Sequence, residues 1–428
     1  MFKRFTALFF VLLILPGCRS ASPVPADSSS DVPMQSASAL SEIHFFGTLS
    51  SGNGNGAQTD NGFFFIEPQS ESYANLQYID FSSKKKVPVC SSPACPHDND
   101  ACPSYLEWSG GYPYIAANSS KIILTSANAG AANETIYHEK ALPHIEMADL
   151  NGANRKTLLS LSAKEDIQIG TACSEEYLYF IKKSVEGTSS VMDLCKVSLS
   201  DGTLEIISRL PNGNSVILGA EQQYLIISCC SPASGENLYS PDQVNTYLCF
   251  DMTTETCISQ KELPLNAPLH TTQSFVSGTT LYSFSPTENT LSIYDLKNGE
   301  TLQSISSFFD KEVQMGQIDA VLDGKILFSE IFAGNDEEIN YIQYDLSEEK
   351  QTPFTLLAEY GTDTGRFFPV IPSCSLKDEY LVVSRCDFSD ASLNGGAVNA
   401  LGAAKPRFAF IAKEDYWASA PQYQPLDE

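Results

Sequence analysis

Short apolar runs recur along the chain, and each begins just after a polar turn. The runs, with their leading turn residues, are NGFFFIE (61–67), SKIILTS (120–126), EEYLYFIKK (175–183), EQQYLIIS (221–228), GTTLYSFS (278–285), DGKILFSE (323–330) and KDEYLVVS (377–384). Their nearly continuous apolar character is typical of strands that are packed on both faces. No long segment repeats with the 3.6-residue period of an amphipathic helix, so the pattern predicts an all-β protein.

A second strand follows in most units, and it alternates apolar and polar residues before a turn. These segments are LQYIDFSSKKK (76–86), IEMADLNGANR (145–155), LCKVSLSDGT (194–203), YLCFDMTTET (247–256), LSIYDLKNGE (291–300) and YIQYDLSEEK (341–350). Asp, Asn and Gly suit the positive-φ positions of tight hairpin turns. A third short strand, such as LEIISRL at 204–210, then closes the unit.

The repeating unit predicts a β-propeller. Its mean spacing of about 53 residues fits four strands with their loops, so we expect seven blades, with six or eight as alternatives. The pattern resembles that of TolB-like propellers, where a strand ending in x-Asp-Leu precedes a turn with Gly. A pair of β-sandwiches with the same strands is the competing architecture. We expect the ring to close where residues 43–50 join the last blade near 407–417.

The N-terminus predicts an exported lipoprotein. Lys3 and Arg4 precede a ten-residue apolar stretch (6–15), which is too short for a membrane-spanning helix. Leu15-Pro16-Gly17-Cys18 resembles a bacterial lipobox, whose cysteine is lipidated. A plain secretory signal is the alternative. We therefore expect a signal peptide at 1–17, a lipidated Ser/Pro-rich tether at 18–41, and one propeller domain at 42–428 on the outer face of the bacterial cytoplasmic membrane.

The charge of the chain argues against anionic partners. Asp and Glu number 52 against 26 Lys and Arg, which gives a net charge of −26. A field of this sign repels phosphate backbones, so we expect no nucleic-acid partner, and the lipid chains would be the membrane contact.

One stretch, CSSPACPHDNDAC (90–102), gathers possible metal ligands: Cys90, Cys95, His97 and Cys102. Three thiolates and an imidazole can complete the tetrahedral shell of one Zn²⁺, and a closed set of four ligands would make the ion structural. The spacing lacks the C-x2-C knuckle of zinc fingers. A disulfide in an oxidising compartment, or neither role, stays open.

The other cysteines lie in or beside predicted strands, and we interpret them as buried thiols. They are Cys173, Cys195, Cys229, Cys230, Cys249, Cys257, Cys374 and Cys386. A disulfide between Cys229 and Cys249 on neighbouring strands is an open alternative.

The same stretch resembles a segment of lipoproteins from gut-dwelling Clostridia and their relatives, where it precedes propeller repeats. The matching residues are Asp80-Phe81, Val87-Pro88-Val89-Cys90, Pro93, Cys95, His97 and Cys102. The resemblance implies a location, a fold and a shared role for the cysteines and histidine, but no reaction.

No catalytic residue is predicted. The chain contains neither a G-x-S-x-G nucleophile elbow nor H-E-x-x-H, and the glycines of SGNGNG (51–56) do not follow a dinucleotide-binding pattern. We therefore expect a module that binds a protein, peptide or glycan at a propeller face. The alternative is a glycan-active extracytoplasmic enzyme, with carboxylates from several blades gathered at the channel.

Overall fold

A computed structural model describes most of the chain beyond the predicted tether. The described residues are 41–46, 56–70, 73–92, 94–107, 113–187, 189–211, 213–232, 243–265, 273–311, 313–332, 339–359, 367–388 and 404–426. The predicted signal peptide, the predicted lipidation site Cys18 and nearly all of the tether lie outside them.

Seven antiparallel sheets follow one another along the chain, and each is one blade of a β-propeller. Blade 1 contains β2 (Gly56–Gln58), β3 (Gly62–Pro68), β4 (Tyr73–Asp80) and β5 (Lys85–Pro88), together with β6 (Tyr105–Glu107). Blade 2 contains β7 (Pro113–Ala117), β8 (Lys121–Ser126), β9 (His144–Asp149) and β10 (Lys156–Ser160). Blade 3 contains β11 (Glu165–Ile167), β12 (Thr171–Cys173), β13 (Tyr177–Glu186), β14 (Ser189–Ser198) and β15 (Leu204–Arg209). Blade 4 contains β16 (Asn214–Glu221), β17 (Tyr224–Pro232), β18 (Gln243–Asp251) and β19 (Thr256–Leu265).

The remaining blades have the same antiparallel order. Blade 5 contains β20 (Gln273–Ser277), β21 (Thr280–Ser285), β22 (Thr290–Asp295) and β23 (Glu300–Ser306). Blade 6 contains β24 (Val313–Leu322), β25 (Lys325–Phe332), β26 (Asn340–Asp345) and β27 (Lys350–Pro353). A separate hairpin, β28 (Leu357–Glu359) with β29 (Phe367–Pro369), precedes blade 7, which contains β30 (Pro372–Ser375), β31 (Glu379–Phe388), β32 (Ala404–Ala412) and β33 (Gln424–Pro425). The prediction of an all-β propeller with seven blades is confirmed.

Helices are few in the described part of the chain. α1 (Ala131–Tyr137) and a 3-10 turn (His138–Ala141) connect β8 to β9, and α2 (Lys413–Trp417) follows β32. Among the described residues, no helix has the length and apolar character that crossing a bilayer requires.

The apolar runs of the sequence form the second strand of each blade, not the first. All seven residues of β3 are buried, as expected for a strand covered on both faces. The first strands of successive blades contact one another from blade 1 to blade 6, which places them around a central channel. The turns between first and second strands define one end of this channel, which we call the turn face.

The ring does not close as the sequence suggested. β1 (His44–Phe46) pairs antiparallel with β12 of blade 3, on its channel side, and residues 47–50 lie outside the described residues. Blade 7 is complete without it, because all four of its strands come from 372–425. Blades 1 and 7 meet by packing, with the ring of Phe408 4.7 Å from that of Phe65, and by the Lys84–Glu379 ion pair at 2.7 Å.

The recurring aspartate at the end of the third strand caps the turn that follows. In blades 4, 5 and 6 its Oδ1 accepts a hydrogen bond from the backbone N–H two residues on, at 2.9 Å from Asp251, Asp295 and Asp345. Such Asx turns explain why Asp recurs at this position of the repeat.

Candidate metal centre and channel cavity

The cysteine–histidine stretch interrupts the outer strand of blade 1. β5 and β6 both pair with β4, one after the other along its length. The N–H of Val89 donates to the carbonyl of Leu76 at 2.9 Å, and the N–H of Leu76 donates to the carbonyl of Ser104 at 2.7 Å. The β-ladder therefore continues from Val89 to Ser104, and residues 90–103 form an excursion from one point of the strand, which we call the cysteine loop.

The base of the cysteine loop rests on blade 2. Gly152, in the turn between β9 and β10, has a φ of +80°. A Cβ at this position would lie 2.8 Å from both the carbonyl oxygen of Val89 and Cβ of Pro103. Only glycine fits this approach without strain, so the turn of blade 2 and the two ends of the loop are in close contact.

The structure brings all four predicted ligands together. Ligand atoms of Cys90, Cys95, His97 and Cys102 all lie within 4.8 Å of one another. Nδ1 of His97 is 3.1 Å from Sγ of Cys102, and that sulfur is 3.1 Å from the hydroxyl of Ser104. His97 has a φ of +59°, so the tight curvature of the loop helps to bring its ring beside the thiols.

The surroundings of Cys102 favour its thiolate. Its side chain is buried, which opposes ionisation, but hydrogen bonds from Ser104 and His97 outweigh burial and lower the pKa of Cys102 to about 6. The pKa of Cys95 is raised: the backbone N–H of His97 opposes the rise, whereas burial and the neighbouring thiols cause it. The thiolate is the form of cysteine that coordinates a metal ion, so the lowered pKa of Cys102 favours binding of a cation at this cluster.

The ligand set fits a tetrahedral metal ion. Zn–S and Zn–N bonds of about 2.3 and 2.0 Å place tetrahedral ligand atoms roughly 3.5–3.8 Å apart, within the spread of this cluster. The three thiols are free in the structure and not joined in a disulfide. The donors, sulfur and imidazole nitrogen, are those that zinc prefers.

The remaining cysteines are mostly buried thiols, as predicted. Cys173, Cys195, Cys229, Cys249 and Cys374 are buried, Cys230 is half-buried, Cys257 is exposed, and all are free; the side chain of Cys386 lies outside the described residues.

A Cys229–Cys249 disulfide is excluded by register, because Cys229 lies opposite Thr246 and Cys249 opposite Ile226. The two cysteines are thus three positions apart along the ladder, about 10 Å, whereas a disulfide needs Cα atoms within about 7 Å.

A cavity of about 1010 Å³ opens at the turn face and was not foreseen from the sequence. One part lies at the channel mouth, between β1 and the first turns of blades 1, 2, 3 and 4. The other part runs along the seam between blades 1 and 2, past Tyr78 and Leu150, to Val89 and Cys90. The cavity therefore joins the channel mouth to the start of the cysteine loop.

The walls of the cavity are aromatic and acidic. Phe45, Phe46, Phe63, Phe64 and Tyr78 supply rings, and no Lys or Arg from the described part of the chain lines it. Its described carboxylates are Glu42, which precedes β1, Asp60 and Glu175, which lie in turns of blades 1 and 3, and Glu221, which ends β16 of blade 4. Within the described ranges, the cysteine cluster is the only group of three or more His, Cys, Asp or Glu side chains that is placed to hold a metal ion.

The comparisons with known proteins concern the fold. No family model and no curated protein matches the chain. The chain is similar in fold to a solved prolyl endopeptidase, with 11% sequence identity and a TM-score of 0.50. The match covers 91% of this chain and 49% of that one, so the chain spans about half the length of that enzyme. The β-propeller domain of the Trilobed protease from Pyrococcus furiosus is similar at 12% identity and a TM-score of 0.44, covering 91% and 97% of the two chains. At these identities the likeness extends to the fold alone.

Proposed function

We propose that the chain is a lipoprotein of the outer face of the bacterial cytoplasmic membrane, whose propeller binds a ligand in the channel cavity and does no covalent chemistry. The observation that carries the binding role is the cavity itself. It combines aromatic walls with polar groups from several blades, which is typical of ligand sites. A protein, peptide or glycan segment could enter it.

The enzyme alternative requires reactive groups that converge. A glycosidase holds two carboxyl groups about 5–10 Å apart across the scissile bond, each tuned by its surroundings. Of the cavity carboxylates, Glu175 and Glu221 are already engaged by hydrogen bonds from Ser119 and Thr279 of neighbouring blades, and Glu42 and Asp60 are exposed. We therefore favour a binding role over a glycan-active enzyme.

A blocked cavity tests the binding role. The full chain in a non-ionic detergent would be screened against peptide and glycan arrays, and hits compared between wild type and Asn61→Trp, which fills the cavity from the exposed turn of blade 1. Asn298→Trp, in an exposed turn of blade 5 away from the cavity, is the matched control. Hits lost in the first variant and kept in the second support the proposal; hits kept in both would refute it.

The lipid anchor rests on the Leu15-Pro16-Gly17-Cys18 segment and has its own test. Metabolic labelling with an alkyne fatty acid should mark the wild-type chain in the membrane fraction. Cys18→Ala should abolish the label and retain the precursor. A labelled Cys18→Ala chain, or an unlabelled wild type released into the medium, would contradict lipidation.

We further propose that Cys90, Cys95, His97 and Cys102 hold one structural zinc ion. The support is the closed set of soft donors within 4.8 Å, with a thiolate favoured at Cys102. Zinc would fix the cysteine loop against blade 2. The resemblance to clostridial lipoproteins that carry the same segment agrees with a shared role.

Metal analysis with thiol counting tests the zinc proposal. After anoxic purification, the full chain should carry one zinc per molecule, with the three cluster thiols protected from alkylation. Cys95→Ser should lose the ion, whereas Cys257→Ser, an exposed thiol outside the cluster, should retain it. Alkylation of all three cluster thiols with no metal, or a disulfide among them in the native protein, would reject the proposal.

A further inference from the structure

We infer that the ligand of the channel cavity is an organic cation with several amino or guanidinium groups, either a free polyamine or a run of basic side chains; this rests on the proposed binding function. Among the described residues, four carboxylates and no Lys or Arg line the cavity. A cation entering it loses water but gains opposite charge on several sides, whereas an anion would meet repulsion throughout.

Two of the carboxylates are held in place by the neighbouring blade. Glu175 of blade 3 accepts from the backbone N–H and hydroxyl of Ser119 in blade 2, at 3.0 and 2.7 Å. Oε2 of Glu221 in blade 4 accepts from the N–H and hydroxyl of Thr279 in blade 5, at 3.2 and 2.8 Å. Because the rotamers of these side chains are already fixed, they lose little conformational entropy when a ligand binds. The two carboxylates are therefore preorganised for a cationic group.

The other two carboxylates have no partner of their own. Glu42 and Asp60 are exposed and make no hydrogen bond or ion pair among the described residues. Ser373, which also lines the cavity, has a hydroxyl oxygen without a hydrogen-bond partner. Because a hydroxyl both donates and accepts, Ser373 can pair with either kind of ligand group. The carboxylates accept hydrogen bonds and donate none, so only a ligand with donors such as N–H groups can pair with them.

The spacing of the carboxylates favours an extended organic cation over a metal ion. A divalent cation needs several oxygens around one point, at about 2.0–2.6 Å from it. The cavity carboxylates and His44 form no such group among the described residues. Charges distributed over several blades match a ligand whose own charges are distributed. The half-buried ring of Tyr78 adds a π face on which a cation can rest.

The test measures binding of spermine, hexalysine and hexaglutamate to the full chain in non-ionic detergent by calorimetry at two salt concentrations. Spermine represents the free polyamine and hexalysine the basic peptide, so their relative affinities distinguish the two sources. Asp60→Asn and Glu221→Gln each remove one charge, and the amide of the second variant can still accept from Thr279. Glu262→Gln, on the exposed outer strand of blade 4, is the matched control, because it removes one negative charge outside the cavity and so measures the effect of the overall charge of the chain.

We expect at least one of the two cations to bind, with an affinity that falls as salt rises, and hexaglutamate not to bind. Each cavity variant should weaken binding roughly two- to fivefold, as exposed ion pairs do, and Glu262→Gln should leave it unchanged. Equal weakening by Glu262→Gln would reject a specific site. If a neutral or acidic ligand binds the wild type but not Asn61→Trp, the charge inference is overturned and the binding function stands. If Asn61→Trp loses no ligand that the wild type binds, both are overturned.

Discussion

Val89 and Ser104 are neighbours in one β-ladder although the whole cysteine loop lies between them in sequence. Both hydrogen-bond to Leu76, one through its N–H and the other through its carbonyl. The ends of the loop are thus fixed by the sheet before any metal binds. This separates the stability of the loop from the stability of the propeller.

Chelation should therefore loosen the loop without unfolding the protein. With the metal removed, residues 90–103 should become the first site of limited proteolysis, while the thermal midpoint falls by only a few degrees, because blade 1 keeps its ladder to Leu76. Protease mapping and calorimetry with and without a chelator make the comparison. Cooperative loss of the whole sheet signal on chelation would show that the ion is needed for the propeller itself.

Gly152→Ala should weaken the contact between the cysteine loop and blade 2. The new methyl group would meet the Val89 carbonyl and Pro103 at 2.8 Å, in addition to the cost of a positive φ. Gly324→Ala is the matched control, since its φ is +74° and no atom lies within 4 Å of the added Cβ. The control isolates the φ cost of about 1–2 kcal/mol, and Gly152→Ala should exceed it in urea unfolding. Equal losses would mean that the contact yields freely.

The closure between blades 1 and 7 should depend on apolar packing more than on its ion pair. Phe408→Ala, which removes the ring against Phe63 and Phe65, should lower the free energy of unfolding by about 3–5 kcal/mol. Lys84→Met breaks the pair with Glu379 and should lower it by about 1 kcal/mol or less. Lys140→Met, which removes an exposed pair with Glu107, is the control expected to change little. A larger loss from Lys84→Met than from Phe408→Ala would reverse this ranking.

Stability should fall as pH rises from about 4 to 7. Burial raises the pKa of Asp319 to about 7, against an opposing hydrogen bond from Ser329, and burial also raises that of Glu330 to about 7. The native state keeps protons that the unfolded chain releases near pH 4, so the free energy of unfolding decreases by up to about 1.4 kcal/mol per pH unit for each group and levels off above pH 7.

Asp319→Asn should reduce that slope, because the amide does not ionise. Urea unfolding at pH 5, 6, 7 and 8 would measure it, with the variant gaining stability relative to wild type toward pH 8. Asp345→Asn is the contrasting control: hydrogen bonds from Lys325 and Ser347 lower the pKa of Asp345, so its loss should not change the slope in this range. An unchanged slope in Asp319→Asn would show that Asp319 is ionised in the native protein.

The blade repeat was predictable because it follows from local chemistry. Strands covered on both faces need continuous apolar runs such as Phe63–Ile66, and Asx turns need an aspartate such as Asp295 at a fixed place. The first strands were missed because several of them, such as Gly56–Gln58, have only three to five residues and show no clear alternation of apolar and polar positions. The cluster of Cys90, Cys95, His97 and Cys102 was found because its ligands are close in sequence.

The closure and the cavity could not be predicted for a related reason. β1 is only three residues long, and it pairs with the edge of β12 in blade 3. No local sequence pattern indicates which strand edge is available for this pairing. The cavity draws Glu175, Glu221 and Ser373 from three separate blades. Only the assembled ring places such residues together.

The position of β1 decides how the propeller responds to a mechanical pull on the chain that precedes it. Such a pull reaches the domain first where the hydroxyl of Ser41 accepts from the N–H of Glu175 and the N–H of Ile43 donates to the carbonyl of Gln222. β1 then runs alongside β12, with hydrogen bonds perpendicular to the strands. Tension along β1 therefore shears these bonds together instead of peeling them one at a time, and it is spread over blades 3 and 4 before it reaches blade 1.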